Sequence, residues 1–174
     1  MKKATTYSII IVFVIGLIFG SYLANSQDYK YHSLFIYNFT KYIEWPESRK
    51  SGDFIISVLG KSDITESLNQ MAENKLVGSQ KIKVEVVSDL SDIGKSHILF
   101  IPQNESGKLD QALSQINQSS ILIITERPGM AKRGSAINFI LEGGRWRFEL
   151  NLSSIEKANL KISGELVKLG KVIQ

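Results

Sequence analysis

Three short stretches, FIISVL at 54–59, HILFI at 97–101 and ILIIT at 121–125, are apolar at almost every position. A strand that is hydrophobic on both sides must be covered on both faces, as in the interior of a parallel sheet. Helical patterns separate these runs: Ile64, Leu68 and Met71 share one face, and so do Leu109, Leu113 and Ile116. Gly60 closes the first run and Pro102 stops the second. Between them, Ile82, Val84 and Val86 alternate with polar residues, which predicts a strand with one wet face. Strands alternating with helices specify a mostly parallel sheet covered by helices. Asp63 to Glu66 has the form of a capping box at the start of the second helix.

The last third changes character. Ile137, Phe139 and Leu141 alternate, Gly143 and Gly144 supply a tight turn, and Trp146, Phe148 and Leu150 alternate on the return. This is the pattern of an antiparallel hairpin. Ser153 to Glu156 opens a short helical turn, and Ser163 begins a final helix. The expected fold is therefore α/β: a mostly parallel sheet covered by helices, with a C-terminal antiparallel β-hairpin and final helix.

The chain begins with Lys2 and Lys3, an apolar run from Ile9 to Leu23, and small residues at Ala24 and Ser26. That is the order of a secretory signal, and the run is shorter than the roughly 20 residues that a comfortable membrane span needs. Residues 1–26 thus read as a signal peptide, with cleavage favoured over retention as an anchor, and 27–174 as one exported domain. Among 174 residues there is no cysteine, which excludes lipoprotein acylation and disulfides. A disulfide-free exported domain with this leader fits a Gram-negative periplasm. Without the leader lysines the balance is 19 basic to 17 acidic residues, which gives no case for nucleic acid.

Catalytic motifs are missing. The sequence holds no dinucleotide-binding glycine fingerprint, no P-loop and no nucleophile elbow. The two histidines, His32 and His97, stand in no metal-ligand spacing, and His97 at the head of an apolar strand reads as a hydrogen-bonded structural residue. Glu44 and Glu149 sit beside aromatic residues, but no second polar group is arranged to converge with either. No catalytic residue, cofactor or metal site is expected.

Two segments invite a partner instead. In the stretch FIYNFTKYIEWPES at 35–48 and the turn before it, Tyr31, Leu34, Phe35, Phe39, Tyr42 and Ile43 form a helical stripe for the core. Pro46 should end this helix near Glu44, leaving the Trp45 ring to cover the core and its indole N–H to find an acceptor. Tyr37, Lys41 and Glu44 lie off the stripe. In the returning hairpin strand, Trp146, Phe148 and Leu150 take one face, while Arg145, Arg147, Glu149 and Asn151 take the other. Such exposed charge is ordinarily a solvated face, but at a sheet margin it can orient a protein partner.

These segments resemble the YfiR-like periplasmic proteins. The resemblance rests on LFIYNFTKYIEWP at 34–46, ISVLG at 56–60, HILFI at 97–101 and PGMA at 128–131. It continues through Ile137 to Phe139, RFELNL at 147–152, ANLKIS at 158–163 and Leu166. It implies a non-enzymatic periplasmic regulator that binds the periplasmic sensor domain of an inner-membrane diguanylate cyclase and represses it. Capture of the regulator by an OmpA-like outer-membrane lipoprotein then raises cyclic di-GMP and promotes biofilm formation. By the same resemblance, Phe148, Glu149 and Asn151 match the family's partner-binding segment and Ile155 lies just after it. This places partner contact on Glu149 and Ile155, with Arg147 beside them on the charged face. Some members carry disulfide-forming cysteines, and redox control of that kind is excluded here. The alternative is a periplasmic small-ligand-binding module whose crevice is lined by residues after Gly60 and Pro102. Pairing of an exposed hairpin edge could also make a homodimer, though nothing in the sequence demands one.

Overall fold

The computed structural model describes residues 29–116 and 119–173; the leader reading falls on residues outside these. A first helix, α1, spans residues 29–42 and passes directly into a two-residue strand, β1 (Ile43–Glu44). The parallel strands are β2 (Phe54–Leu59), β4 (Gln80–Val87), β5 (Ile98–Ile101), β6 (Leu122–Thr125) and β7 (Ile137–Glu142). Strand β3 (Leu76–Val77) pairs antiparallel with β4, and β8 (Arg145–Leu150) antiparallel with β7. Two short strands follow: β9 (Lys161–Ile162) pairs with β1, and β10 (Lys171–Val172) runs parallel to β8. The eight-stranded sheet has the order β10-β8-β7-β6-β5-β2-β4-β3.

Strand alternation divides the sheet into two cores. Ile56, Val58, Ile98, Phe100, Leu122 and Ile124 face α1 and α2 (Ile64–Ala72). Leu59, Leu99, Ile101, Ile121 and Ile123 face the other way, toward α3 (Leu109–Gln115) and Leu90 and Ile93. Both faces of the central strands are buried, as their apolar sequences require. The hairpin closes through Gly143 and Gly144, both at positive φ (59° and 72°), the paired left-handed geometry of a two-residue turn. Two short helices, α4 (Leu152–Lys157) and α5 (Gly164–Leu169), end the chain, each opened by a side-chain cap, Asn151 on Ser154 N and Ser163 on Leu166 N.

Three local expectations are corrected. The helical stripe is rotated: Tyr31 and Leu34 are 49% and 44% exposed, and the seated ridge is His32, Ile36, Phe39 and Ile43. A histidine ring served as the apolar surface, because His32 stacks on Phe139 with centroids 4.1 Å apart. The helix stops at residue 42, since Ile43 and Glu44 leave it to pair with Ile162 and Lys161. The capping box does not form; Asp63 is already helical (φ −65°, ψ −17°) and its side chain caps nothing.

Phe39 is 1% exposed and meets Phe35, Phe139 and Phe148 at centroid distances of 5.0–6.2 Å. Phe39→Ala removes the centre of this ring cluster and should lower the stability measured by urea unfolding by about 3–5 kcal/mol. A loss below about 1 kcal/mol would mean that the helix is not anchored there.

Candidate functional site

At the end of α1, Trp45 donates its indole N–H to the His97 carbonyl at 3.3 Å. The His97 ring accepts the Ile55 N–H on Nδ1 at 3.0 Å, so its proton is on Nε2, which donates to the Arg49 carbonyl at 2.8 Å. Burial lowers the His97 pKa, and the ring stays neutral. Histidine 97 is thus a structural pin between β1, β2 and β5. Around it, Lys41 and Glu44 are exposed and Tyr37 is half-buried. The Lys41 ammonium donates to Asn38 Oδ1 at 3.0 Å and lies 4.6 Å from the Tyr37 ring centre. Glu44 sits 3.6 Å from Lys50 Nζ, which also pairs with Glu47.

The hairpin candidates divide differently. Arg147 is exposed, 3.7 Å from Glu142, whose other oxygen accepts from Lys171 at 3.0 Å. Glu149 is half-buried and accepts the Asn138 amide at 3.0 Å, while Asn138 Oδ1 accepts from Thr125 at 2.7 Å. Asn151 donates to the Ala131 carbonyl at 2.8 Å in addition to capping α4. Phe148 and Ile155 lie inside the α1-side core, 5% and 1% exposed. Glu149 and Asn151 are therefore hinges of an internal polar network as well as surface groups. Because Phe148 faces α1 and Arg147 and Glu149 alternate with it, the hairpin charges and the Tyr37, Lys41 and Glu44 group belong to opposite sides of the sheet.

A third feature lies at the carboxyl ends of the parallel strands. The chain passes from β2 to β4 on one side and then crosses to β5 on the other, so the strand order reverses between β2 and β5. A cavity of about 570 Å³ opens there, lined by residues that include Lys61, Ser62, Asp63, Gln103 and Asn104. Such a reversal is where open α/β sheets place ligands. Gly60 makes the exit turn at φ +69°, and its open side is filled by the Glu105 carboxylate.

Glu126 forms the floor. Its Oε1 accepts from the Gln103 N–H at 3.0 Å and the Tyr29 hydroxyl at 3.2 Å, and its Oε2 lies 3.7 Å from His32 Nδ1. Burial pushes the Glu126 carboxyl up, opposed by those two hydrogen bonds. Burial, with Glu126 beside it, pushes the Tyr29 hydroxyl up to about 12. Arg127 donates to Ser106 at 2.9 Å on the rim. Sequence reading passed over Tyr29 and Glu126 and weighed His32 only as a metal ligand. The available signal was a glutamate set directly behind a fully apolar strand, where a charge marks the strand's exit. Among the described residues, no group of three or more His, Cys, Asp or Glu could hold a metal.

With this geometry in place, the family can be assigned. A family model described as YfiR/HmsC-like matches residues 29–171. The chain belongs to the YfiR/HmsC-like family. That family supplies a periplasmic regulatory context tied to cyclic di-GMP signalling, and its members act with partner signalling proteins. No helix among the described residues is long and apolar enough to cross a membrane. Comparison with curated proteins yields no match. Among solved structures, the ABC domain in complex with L-Trp from Streptococcus pneumonia aligns with a TM-score of 0.49 at 13% identity, over 70% of this chain and 55% of that one. The chain thus spans about half the length of that protein.

The buried carboxyl makes a pH-dependent contribution of known sign. A folded value above the ordinary 4.5 means that the folded state holds the proton longer. Stability from this group is therefore present at low pH and is lost as pH rises through the folded value. Glu126→Gln keeps an oxygen to accept both hydrogen bonds and removes the charge. Its stability relative to wild type, measured by urea unfolding, should increase from a pH of about 4.5 to about 7. A pH-independent difference would show that the carboxyl is not desolvated.

Proposed function

We propose that this chain is a non-enzymatic periplasmic regulator, exported by residues 1–26, that represses an inner-membrane diguanylate cyclase by binding its periplasmic sensor domain. The family match across residues 29–171 carries this reading. Binding would stabilise the inactive conformation of the sensor by differential affinity for its two states, and an OmpA-like outer-membrane lipoprotein would compete for the regulator. Arg147 is the exposed charge best placed to make contact, with Glu149 and Asn151 half-exposed beside it. Phe148 and Ile155 support that strand and helix from beneath, and Tyr37, Lys41 and Glu44 offer a second surface on the opposite side.

Reversing one interfacial charge should be decisive. Arg147→Glu is expected to weaken capture of the isolated sensor domain by at least about tenfold. Lys132→Glu, another exposed basic residue, should leave capture intact. Equal capture by wild type and Arg147→Glu would remove the hairpin from the interface.

A second reading, a small-ligand module, is favoured by one observation: the cavity at the strand-order reversal is lined by the residues after Gly60 and Pro102. A thermal-shift screen of small polar metabolites tests it. A ligand of this cavity should raise the melting temperature of wild type, and Asp63→Ala should abolish the shift. No shift with any compound would discard this reading.

A further inference from the structure

A groove of about 670 Å³ beside the signature segment, at residues 40–45, is lined mostly by apolar groups. The cavity of about 570 Å³ at the strand-order reversal is built from the opposite chemistry, with more polar than apolar lining. Three segments supply that lining, and each sets a hydrogen-bond donor next to an acceptor. The turn after Gly60 brings the Lys61 ammonium and the Asp63 carboxylate. The turn after Pro102 brings the amides of Gln103 and Asn104, each of which both donates and accepts. The exit of β6 brings the Glu126 carboxylate and the Arg127 guanidinium.

Part of this set is fixed and part is available. The Glu126 side chain is only 9% exposed, and the Gln103 N–H and Tyr29 hydroxyl hold it in place as the floor. Arg127 commits one nitrogen to Ser106, which leaves the rest of its donor fork for the cavity. Lys61 and Asp63 are exposed, and neither side chain makes an ion pair or hydrogen bond among the described residues. The half-buried Tyr29 adds an aromatic ring to the wall.

Lys61 and Arg127 balance Asp63 and Glu126, so the lining carries no net charge to attract an ion. The two signs are also interleaved, because Lys61 is two residues from Asp63 and Arg127 directly follows Glu126. An organic acid is best met by an excess of cations, and a zwitterion by cations and carboxylates gathered at separate ends. A neutral polyol asks for neither. Each of its hydroxyls donates one hydrogen bond and accepts up to two, so vicinal hydroxyls match a lining of alternating donors and acceptors. Hydrogen bonds to charged groups are the stronger kind, which offsets the water that such a molecule gives up. Resting on the small-ligand reading of this cavity, we propose that its ligand is a neutral mono- or disaccharide. Its hydroxyls are shared between Lys61 and Asp63 on one turn and Asn104 and Arg127 on the others, and the Tyr29 ring offers a surface to its C–H face. The volume is within the usual range for small-molecule sites.

The test is calorimetric titration of the protein, expressed with its own leader, with three kinds of compound. The neutral sugars are D-glucose, D-galactose, D-ribose and maltose, the acid is D-glucuronate, and the zwitterion is L-serine. At least one neutral sugar should bind at a single saturable site, at least about tenfold more tightly than D-glucuronate or L-serine. Its affinity should change by less than about twofold between about 50 mM and about 500 mM salt, because an uncharged ligand leaves little to screen. Asp63→Ala and Lys61→Met should each weaken that sugar at least about tenfold. Lys81→Met, an exposed lysine at the opposite end of β4, should not. Thermal unfolding confirms that the variants are folded. Binding of D-glucuronate or L-serine but of no sugar, lost in Asp63→Ala, would overturn the proposal and leave the small-ligand reading standing. Silence from every compound, here and in the metabolite screen, would remove both. Sugar binding that survives both variants, or that falls steeply with salt, would overturn the proposal as well.

Discussion

The seating of α1 on the sheet governs the rest of the structure. His32, Ile36, Phe39 and Ile43 form one ridge, and its rings interlock with Phe139 and Phe148 of the hairpin. The helix thereby joins the parallel layer to the antiparallel C-terminal strands, which would otherwise share only one strand junction, β6 with β7. Rings suit this task because each buries a large apolar area with few rotatable bonds. At the other end of the helix, Trp45 and His97 convert the exit into a fixed corner, with every polar atom of the two rings engaged by backbone.

Polar groups inside the fold follow the same economy. Thr125, Asn138 and Glu149 link β6, β7 and β8 on the face away from α1. A buried amide in such a chain is stable only while both of its ends are satisfied. The face of the hairpin that carries Arg147 is therefore held in register by Glu149 from within, so a charge at the surface and a network in the interior share one residue. That sharing separates the two kinds of variant: Arg147 can be changed with little effect on the fold, whereas Glu149 cannot.

Among the described residues, two cavities differ in character. The one at the strand-order reversal is polar, balanced in charge and floored by a desolvated carboxyl. The groove beside the signature segment is mostly apolar and rimmed by lysines.

Much of this was written in local pattern. The doubly apolar strands, the Gly143 and Gly144 turn, the Trp45 acceptor and the structural part played by His97 all follow from periodicity, backbone preference and hydrogen-bonding need. The family, too, was legible in the signature helix and the RFELNL strand. Other features were decided only by tertiary contact. Seating His32 as an aromatic surface rotated the buried stripe of α1, and pairing with β9 drew Ile43 and Glu44 out of the helix. The crossing from β4 to β5 gathered Tyr29, Glu126 and the loops after Gly60 and Pro102 around one cavity. Periodicity tells a chain which residues turn inward, because that depends on neighbours a few positions away. Which distant residues then meet depends on strand order and helix rotation, and these are settled only when the whole core packs.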